Sequence, residues 1–183
     1  MNAGLPLEAD LSLSTLLDLF PDEPDQPECV VIPARAVPPP YDRLLVHYHH
    51  MTVTNEEFHR DRVNVRILNL CMTESWYARK ILLTKQSDGQ VVQFGIARIW
   101  LQFCSPPVRE AILAGQTPLG RILIENNVLR RIAPIAFLRV NPGPGPSAWF
   151  GLERGQSATF GRLGVIYCDE QPAIEVLEIV SPV

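Results

Sequence analysis

Two apolar runs, WYARKILLT at residues 76–84 and VVQFGIARIWL at residues 91–101, flank the turn-forming residues QSDG at 86–89. This pattern predicts a β-hairpin. Because side chains alternate between the two faces of a strand, Arg79 shares an apolar face with Tyr77 and Ile81. An unpaired charge on such a face is costly, so we expect Arg79 to meet an anionic group.

The second run of the hairpin adds a hollow beside this cation. Gly95 and Ala97 lie on one face of their strand and leave little side-chain volume there. Lys80 falls on the other face of its strand, which we expect to be the more solvent-like one. An arginine next to a hollow predicts a pocket for a small carboxylate.

Composition narrows the classes of protein to which the chain can belong. The 183 residues are 46% hydrophobic and 20% charged, as expected for one globular domain with its own core. A net charge of -4 argues against a nucleic-acid partner, and no apolar run is long enough to span a membrane. The N-terminus does not resemble a signal peptide, and the 4 cysteines are widely spaced. We therefore expect reduced thiols in a cytoplasmic protein.

The first forty residues differ in composition from the rest. We predict a short helix within residues 11–20 and then an extended, proline-rich arm, because prolines disrupt helices and central strands. The predicted division is an N-terminal segment at 1–40 and a compact domain at 41–183. That domain opens with a helix at 41–48 and a second helix signalled by the capping-box pattern Thr54–Glu57.

The remaining elements predict an α+β domain built on a single antiparallel β-sheet. Ser105 and Gly115 bracket one predicted helix, and another follows Thr117. The proline- and glycine-rich residues 141–146 are expected to form a loop. Strands are predicted at 63–70, 136–140, 148–152 and 159–167, with a closing hairpin formed by 163–168 and 173–180.

A carboxylate in the last strand is a candidate site residue. Glu175 and Glu178 lie in a nearly all-apolar strand, so alternation does not decide which of them points inward, and we expect one to be solvated. A buried carboxylate has a raised pKa or needs a cationic or hydroxyl partner, and such groups often mark sites. The alternative is a structural ion pair of Glu178 with Arg79 or Arg66.

The sequence gives little support for metal binding, nucleophilic catalysis or nucleotide binding. His47, His49, His50 and His59 are close in the chain, but no third ligand or metal-binding spacing accompanies them, so no metal site is predicted. The sequence also contains no nucleophile elbow, dinucleotide fingerprint or phosphate-binding loop.

Several motifs together resemble the chorismate pyruvate-lyase family, over roughly residues 41–183. The strand at 77–83 resembles the family's arginine strand, and Gly95 falls where the family has a glycine. The most specific match is TPLGRIL at 117–123, followed at a matching distance by Arg131. The Gln171–Pro172 turn before Glu178 and the HMT sequence at 50–52 match as well.

The resemblance implies an antiparallel sheet whose helical flaps enclose a ligand. It implies a lyase that releases pyruvate from chorismate to give 4-hydroxybenzoate, a precursor of quinones or specialised metabolites. Arg79 would bind a carboxylate and Glu178 the ring hydroxyl, as the catalytic pair. Met51, Gly95, Leu119 and Arg131 would contact the substrate. The family needs no cofactor or metal, and it favours a monomer.

Two other functions stay open at this point. The same fold can act on a different chorismate-like ring substrate. It can also serve as a non-catalytic module that binds or senses an aromatic acid, as in effector domains of bacterial regulators. The residues before Pro40 are too few and too proline-rich for a winged helix, which argues against a complete regulator.

Overall fold

One antiparallel sheet of seven strands forms the centre of the structure, a computed structural model that describes residues 11–21, 26–152 and 158–183. The strands are β1 (Glu28–Ile32), β2 (Val63–Met72), β3 (Tyr77–Lys85), β4 (Val91–Ile99), β5 (Arg130–Asn141), β6 (Thr159–Cys168) and β7 (Gln171–Val180). Their spatial order is β1-β5-β6-β7-β4-β3-β2. The predicted fold class, α+β around a single antiparallel sheet, is confirmed.

Short helices connect and cover the strands. They are α1 (Leu13–Leu17), α2 (Tyr41–Leu45), α3 (Met51–His59), α4 (Pro106–Ala114), α5 (Leu119–Glu125) and α6 (Pro144–Trp149). Helix α4 begins after Ser105 and ends at Gly115, whose φ of 69° suits a residue without a side chain. None of the helices in the described ranges is long and apolar enough to cross a membrane.

The central hairpin forms as its sequence predicts. Strands β3 and β4 are joined by a turn in which Gly89 has a φ of 74°. Ile81 lies opposite Gly95 in the ladder, and Arg79 lies opposite Ala97. On its other side β4 pairs with β7, which puts Glu178 opposite Gly95. These three strands therefore bring Arg79, Gly95 and Glu178 close together in the sheet.

Both faces of the sheet are covered. We call the face that carries Arg79, Gly95 and Glu178 the pocket face; helices α3 and α5 lie over it. Helices α1 and α6 cover the opposite face, where Leu16 and Phe94 belong to one apolar core cluster with partly buried Trp149 packed against it. The apolar character of both faces of β3, β4 and β7 follows from this two-sided burial.

Two sequence predictions on the opposite face are wrong. Residues 144–149 form helix α6, where a loop ending at 146 and a strand from 148 were predicted. The ring of Trp149 stacks on Phe94 with centroids 5.4 Å apart, and its centroid also lies 5.4 Å from the Lys80 ammonium. Lys80 is consequently buried, whereas the hairpin pattern predicted a solvent-like position.

The start of α3 also differs from its prediction. His50 precedes the first helical residue, Met51, so Thr54 lies inside the helix and is not its cap. The Thr54 hydroxyl donates to the His50 carbonyl at 3.2 Å, the back-bond that a threonine makes within a helix. The capping-box pattern therefore misplaced the helix start by one turn.

Part of the proline-rich segment contributes to the sheet. Strand β1 pairs with residues Phe137–Asn141 of β5 and forms an edge of the sheet. An edge strand needs hydrogen bonds on one side only, so the neighbouring Pro27 and Pro33 are tolerated. The predicted boundary after residue 40 assigned this strand to a separate segment.

Candidate ligand-binding site

A pocket lies between the pocket face of the sheet and the first turns of α3 and α5. The cavity volume open to the centre of a water-sized sphere is about 50 Å³, several times what a single water molecule needs. The sheet contributes Arg79, Gly95 and Glu178, and the helices contribute Met51 and Leu119. These five residues come from five different helices and strands.

Arg79 is the cation of this pocket. Its side chain is only 2% exposed, and its Nε and Nη1 have no hydrogen-bond partner within the described residues. Burial lowers the pKa of Arg79, while the charge of Tyr77 and a hydrogen bond with it act in the opposite direction. Arginine nevertheless stays charged in proteins, so the pocket contains a buried positive charge with unused donors.

The helix over Arg79 adds to the positive potential. Helix α3 begins at Met51, and no side chain caps its N-terminus. The first backbone N–H groups of a helix have no partner within the helix, and the helix dipole makes this end favourable for anions. Because Met51 and Thr52 line the pocket beside Arg79, both features favour an anionic ligand there.

Glu178 faces the pocket, and its partner is Arg162. The Arg162 Nε donates to Glu178 Oε2 at 2.7 Å, so Glu178 has a structural ion pair, but with Arg162 and not with Arg79 or Arg66, the two partners that the alternative named. Arg162 lies opposite Glu178 in the ladder between β6 and β7, which explains the choice of partner. Glu175 points to the opposite face and accepts from Arg98 at 2.7 Å. The prediction that one of the two glutamates is solvated is wrong, because each pairs with an arginine on a neighbouring strand.

Arg162 also holds the loop that precedes α3. Its Nη1 donates to the carbonyls of Leu45 at 3.2 Å and His47 at 3.1 Å, and its Nη2 donates to that of His49 at 3.1 Å. Burial and the nearby guanidinium lower the pKa of His47 to about 4. The imidazole is therefore neutral beside the Arg162 charge. Arg162 thus connects the pocket carboxylate of Glu178 to this loop.

His50 stands at the rim between the pocket and a wider surface groove, and it lines both. Arg130 Nε donates to His50 Nε2 at 2.8 Å. Burial, followed by the charges of Arg130 and Arg162, lowers the pKa of His50 to about 4. The neutral ring accepts a hydrogen bond here, and within the described residues the histidines join no group of three or more metal-binding side chains.

Five of the six predicted site residues line the pocket, and Arg131 does not. Its guanidinium lies 3.7 Å from the ring centroid of Tyr167, its partner in the ladder between β5 and β6. The neighbouring Arg130 is the residue that reaches the pocket rim, through His50. Successive residues of a strand point to opposite faces, so the two arginines separate.

Two polar residues that matter to the site were not predicted from the sequence. Arg162 lies in the apolar strand β6. Like Arg79, it is a charged residue on an apolar strand face and needs an anionic partner. Gln93 is 3% exposed, lines the pocket and shares the face of Gly95, because it lies two residues before that glycine. The hairpin alternation was sufficient to place Gln93 in the pocket.

Solved structures with the same fold exist, whereas no protein-family model and no curated protein matches the chain. PhnF from Mycobacterium smegmatis is 13% identical, with a TM-score of 0.52 over 76% of this chain and 66% of that chain. The effector domain of PhnF from the same organism is 13% identical, with a TM-score of 0.51 over 73% and 88%. The C-terminal domain of the histidine utilization repressor from Pseudomonas syringae pv. tomato str. DC3000 is 12% identical, with a TM-score of 0.45 over 66% and 92%.

At these identities the comparisons show a shared fold. The chain spans about two thirds of the length of PhnF. They overturn one prediction: the assignment of the chain as a chorismate pyruvate-lyase is wrong. The two matches with a TM-score above 0.5 are PhnF and its effector domain. The lyase-like fold and its pocket misled the prediction, because a binder and an enzyme need the same groups to hold a carboxylate.

Proposed function

We propose that this chain is a non-catalytic binding module whose pocket holds a small aromatic carboxylate, with 4-hydroxybenzoate as the model ligand. The observation that carries the proposal is the Arg79 guanidinium, which is buried with two nitrogens that lack a partner in the described part of the chain. Such an arrangement is costly without an anion, and a ligand carboxylate compensates for it.

The pocket around Arg79 suits an aromatic ring. Ile81, Ala97 and Val176 present apolar side chains, and Gly95 leaves the floor between them open. A β-carbon at Gly95 would lie 3.3 Å from the Leu177 carbonyl oxygen, so a side chain there would crowd the floor. Burial of a ring against these groups adds apolar contact to the charge-assisted hydrogen bonds at Arg79.

The far end of the pocket is polar but electrically balanced. Glu178 accepts from Arg162, so the pair presents carboxylate oxygen without an uncompensated negative charge. Glu178 lies across β4 from Arg79 and two residues along, which corresponds to a Cα separation of about 12 Å from strand geometry. A ligand with a carboxylate at one end and a polar group at the other fits between them.

Similarity to the PhnF effector domain supports binding without chemistry as the role of this pocket. In an effector domain the bound ligand biases one conformation over another, and the ligand itself is unchanged. Loop 46–50 is suited to such a response here, because Arg162 ties it to the pocket carboxylate.

The test is calorimetric titration of the full chain with 4-hydroxybenzoate, followed by recovery of the ligand. We expect saturable binding and at least about 30-fold weaker binding by Arg79→Met, since loss of a buried charged partner costs about 2 kcal/mol or more. Arg131→Met is the matched control and should bind like the wild type, because Arg131 lies outside the pocket.

Chromatography of the same mixtures distinguishes binding from turnover. We expect 4-hydroxybenzoate to be recovered unchanged, and chorismate to remain intact when incubated with the protein. Equal affinity of the wild type and Arg79→Met, or formation of pyruvate from chorismate, would contradict the proposal.

A further inference from the structure

A buried amide pair connects helix α3 to the pocket floor. Asn55 lies on α3 and is fully buried, and its Nδ2 donates to the Met51 carbonyl at 2.9 Å. The same nitrogen donates to Gln93 Oε1 at 2.7 Å. Since a backbone carbonyl can only accept, the amino group of Asn55 must face Met51. The Gln93 atom that meets this amino group must therefore be its oxygen.

Because the Gln93 oxygen faces Asn55, the position of the other amide atom, the nitrogen Nε2, is fixed as well. Its Nε2 lies 3.6 Å from the position that a β-carbon on Gly95 would occupy, so the nitrogen lies over the open floor of the pocket. No residue within 11–21, 26–152 and 158–183 accepts a hydrogen bond from it. The pocket thus contains a neutral donor whose orientation is set by the protein.

The strand register puts this donor beside the pocket acceptor. Glu178 lies opposite Gly95, and Gln93 lies two residues before Gly95 on the same face of β4. Arg79 lies opposite Ala97, on the other side of Gly95 along β4. The pocket therefore has a cation at one end and a donor–acceptor pair, Gln93 and Glu178, at the other.

We infer that Gln93 is a specificity-determining residue that, together with Glu178, selects a hydroxyl group on the ligand end remote from Arg79. A hydroxyl both donates and accepts, so one oxygen can accept from Gln93 Nε2 while its hydrogen is donated to Glu178. A ligand without this group leaves a buried donor unpaired, which is unfavourable. The inference rests on the proposed binding of a carboxylate at Arg79 and narrows the ligand class to hydroxylated aromatic acids.

The experiment compares benzoate with 4-hydroxybenzoate on the full-length wild type and on Gln93→Met, by calorimetric titration. Methionine has a similar length and no amide donor. We expect the wild type to prefer 4-hydroxybenzoate, and Gln93→Met to reduce this preference by about 3- to 10-fold, the usual contribution of one hydrogen bond. The affinity for benzoate should stay within about 2-fold, because benzoate has no group to meet the amide.

Gln86→Met is the matched control, since Gln86 lies in the exposed hairpin turn. Equal losses for both ligands in Gln93→Met would mean that Gln93 only supports the fold, and an unchanged preference would mean that it does not contact the hydroxyl. Either result would overturn the inference. If the wild type binds neither acid, the proposed function itself fails, which is a different outcome.

A second measurement uses only the wild-type protein, so it does not depend on whether a variant folds. The side-chain NH₂ signals of Gln93 in a ¹⁵N-labelled wild-type sample should shift on titration with 4-hydroxybenzoate and shift much less with benzoate. Similar shifts with both acids, under conditions where both bind, would contradict a contact between the amide and the hydroxyl.

Discussion

At Arg79, the proposed ligand binding comes at the expense of stability. Its guanidinium is buried among apolar side chains, and two of its nitrogens lack a partner in the described ranges. The cost of desolvating the charge is present whether or not a ligand is bound, and only an anion offsets it. Arg162, by contrast, has a carboxylate and three backbone carbonyls around it.

The two arginines should therefore respond oppositely to the same substitution. In the absence of ligand, Arg79→Met is expected to raise the free energy of unfolding by about 1–3 kcal/mol, because a buried charge is replaced by an apolar side chain. Arg162→Met is expected to lower it by about 3–5 kcal/mol, because Glu178 then loses its partner. Urea denaturation of both variants measures the difference. A loss of stability in Arg79→Met comparable to that in Arg162→Met would show that Arg79 is structurally satisfied.

Sequence pattern found Arg79 but not its relation to other residues. The alternation within 77–83 was enough to place it on an apolar face, since that periodicity is local. The partner of Glu178 depends on which strands are neighbours, and Arg162 lies sixteen residues earlier in the chain, across the closing hairpin. Local alternation contains no information on that pairing.

At the scale of elements, the close approach of α5 to α3 closes the pocket. A β-carbon on Gly120 would lie 2.8 Å from the Thr52 hydroxyl oxygen and 2.9 Å from the His50 Cβ. The first turns of the two helices can meet only because this residue has no side chain. Met51 and Leu119 owe their positions over the pocket to this contact.

Gly120→Ala should consequently weaken binding more than it affects folding. The added methyl group must push α5 away from α3, at a cost of about 1–3 kcal/mol, while alanine returns up to about 1 kcal/mol of helix propensity. We expect a fall in affinity for 4-hydroxybenzoate of about 10-fold, measured by calorimetric titration. Glu125→Ala, at the exposed far end of α5, is the control. Unchanged affinity in Gly120→Ala would mean that the two helices do not determine the pocket.

Elements with strong local signals were predicted well. Ser105 and Pro106 precede and open α4 and Gly115 ends it, and these residue types favour helix ends through their own backbone conformations. Helix α6 was missed because it is one and a half turns long and contains two prolines and a glycine. Its stability comes from tertiary contacts, such as the stacking of Trp149 on Phe94, and short helices have little of their own.

At the scale of the whole molecule, residues 11–21 and strand β1 form one structural unit with the rest of the described chain. Leu16 is fully buried in the cluster on the opposite face, and Phe20 packs in the same cluster. Strand β1 covers the outer edge of β5 along residues Phe137–Asn141. Removal of these elements would expose apolar surface that lies at the centre of that face.

A chain of residues 41–183 should therefore be less stable than the full chain by several kcal/mol, given about 1.5–3 kcal/mol for each large apolar side chain buried. Urea denaturation of the two chains gives the comparison. A chain of residues 26–183 keeps β1 but lacks α1 and should be intermediate. If residues 41–183 unfold at the same urea concentration as the full chain, the predicted domain boundary after residue 40 is the better description.

The class of fold, the central hairpin, the ends of α4 and a buried arginine beside a glycine hollow could all be predicted from local sequence, because alternation, turns and helix-end preferences act between near neighbours. Tertiary structure alone decided that Arg162 pairs with Glu178, that Lys80 is covered, and that Gln93 points its donor into the pocket. Each of these depends on contacts between residues distant in the chain, and hydrogen-bond direction in particular depends on which buried group lies opposite. The same distinction explains the wrong lyase assignment, since the motifs place a buried arginine beside a pocket and do not decide whether a bound molecule is converted.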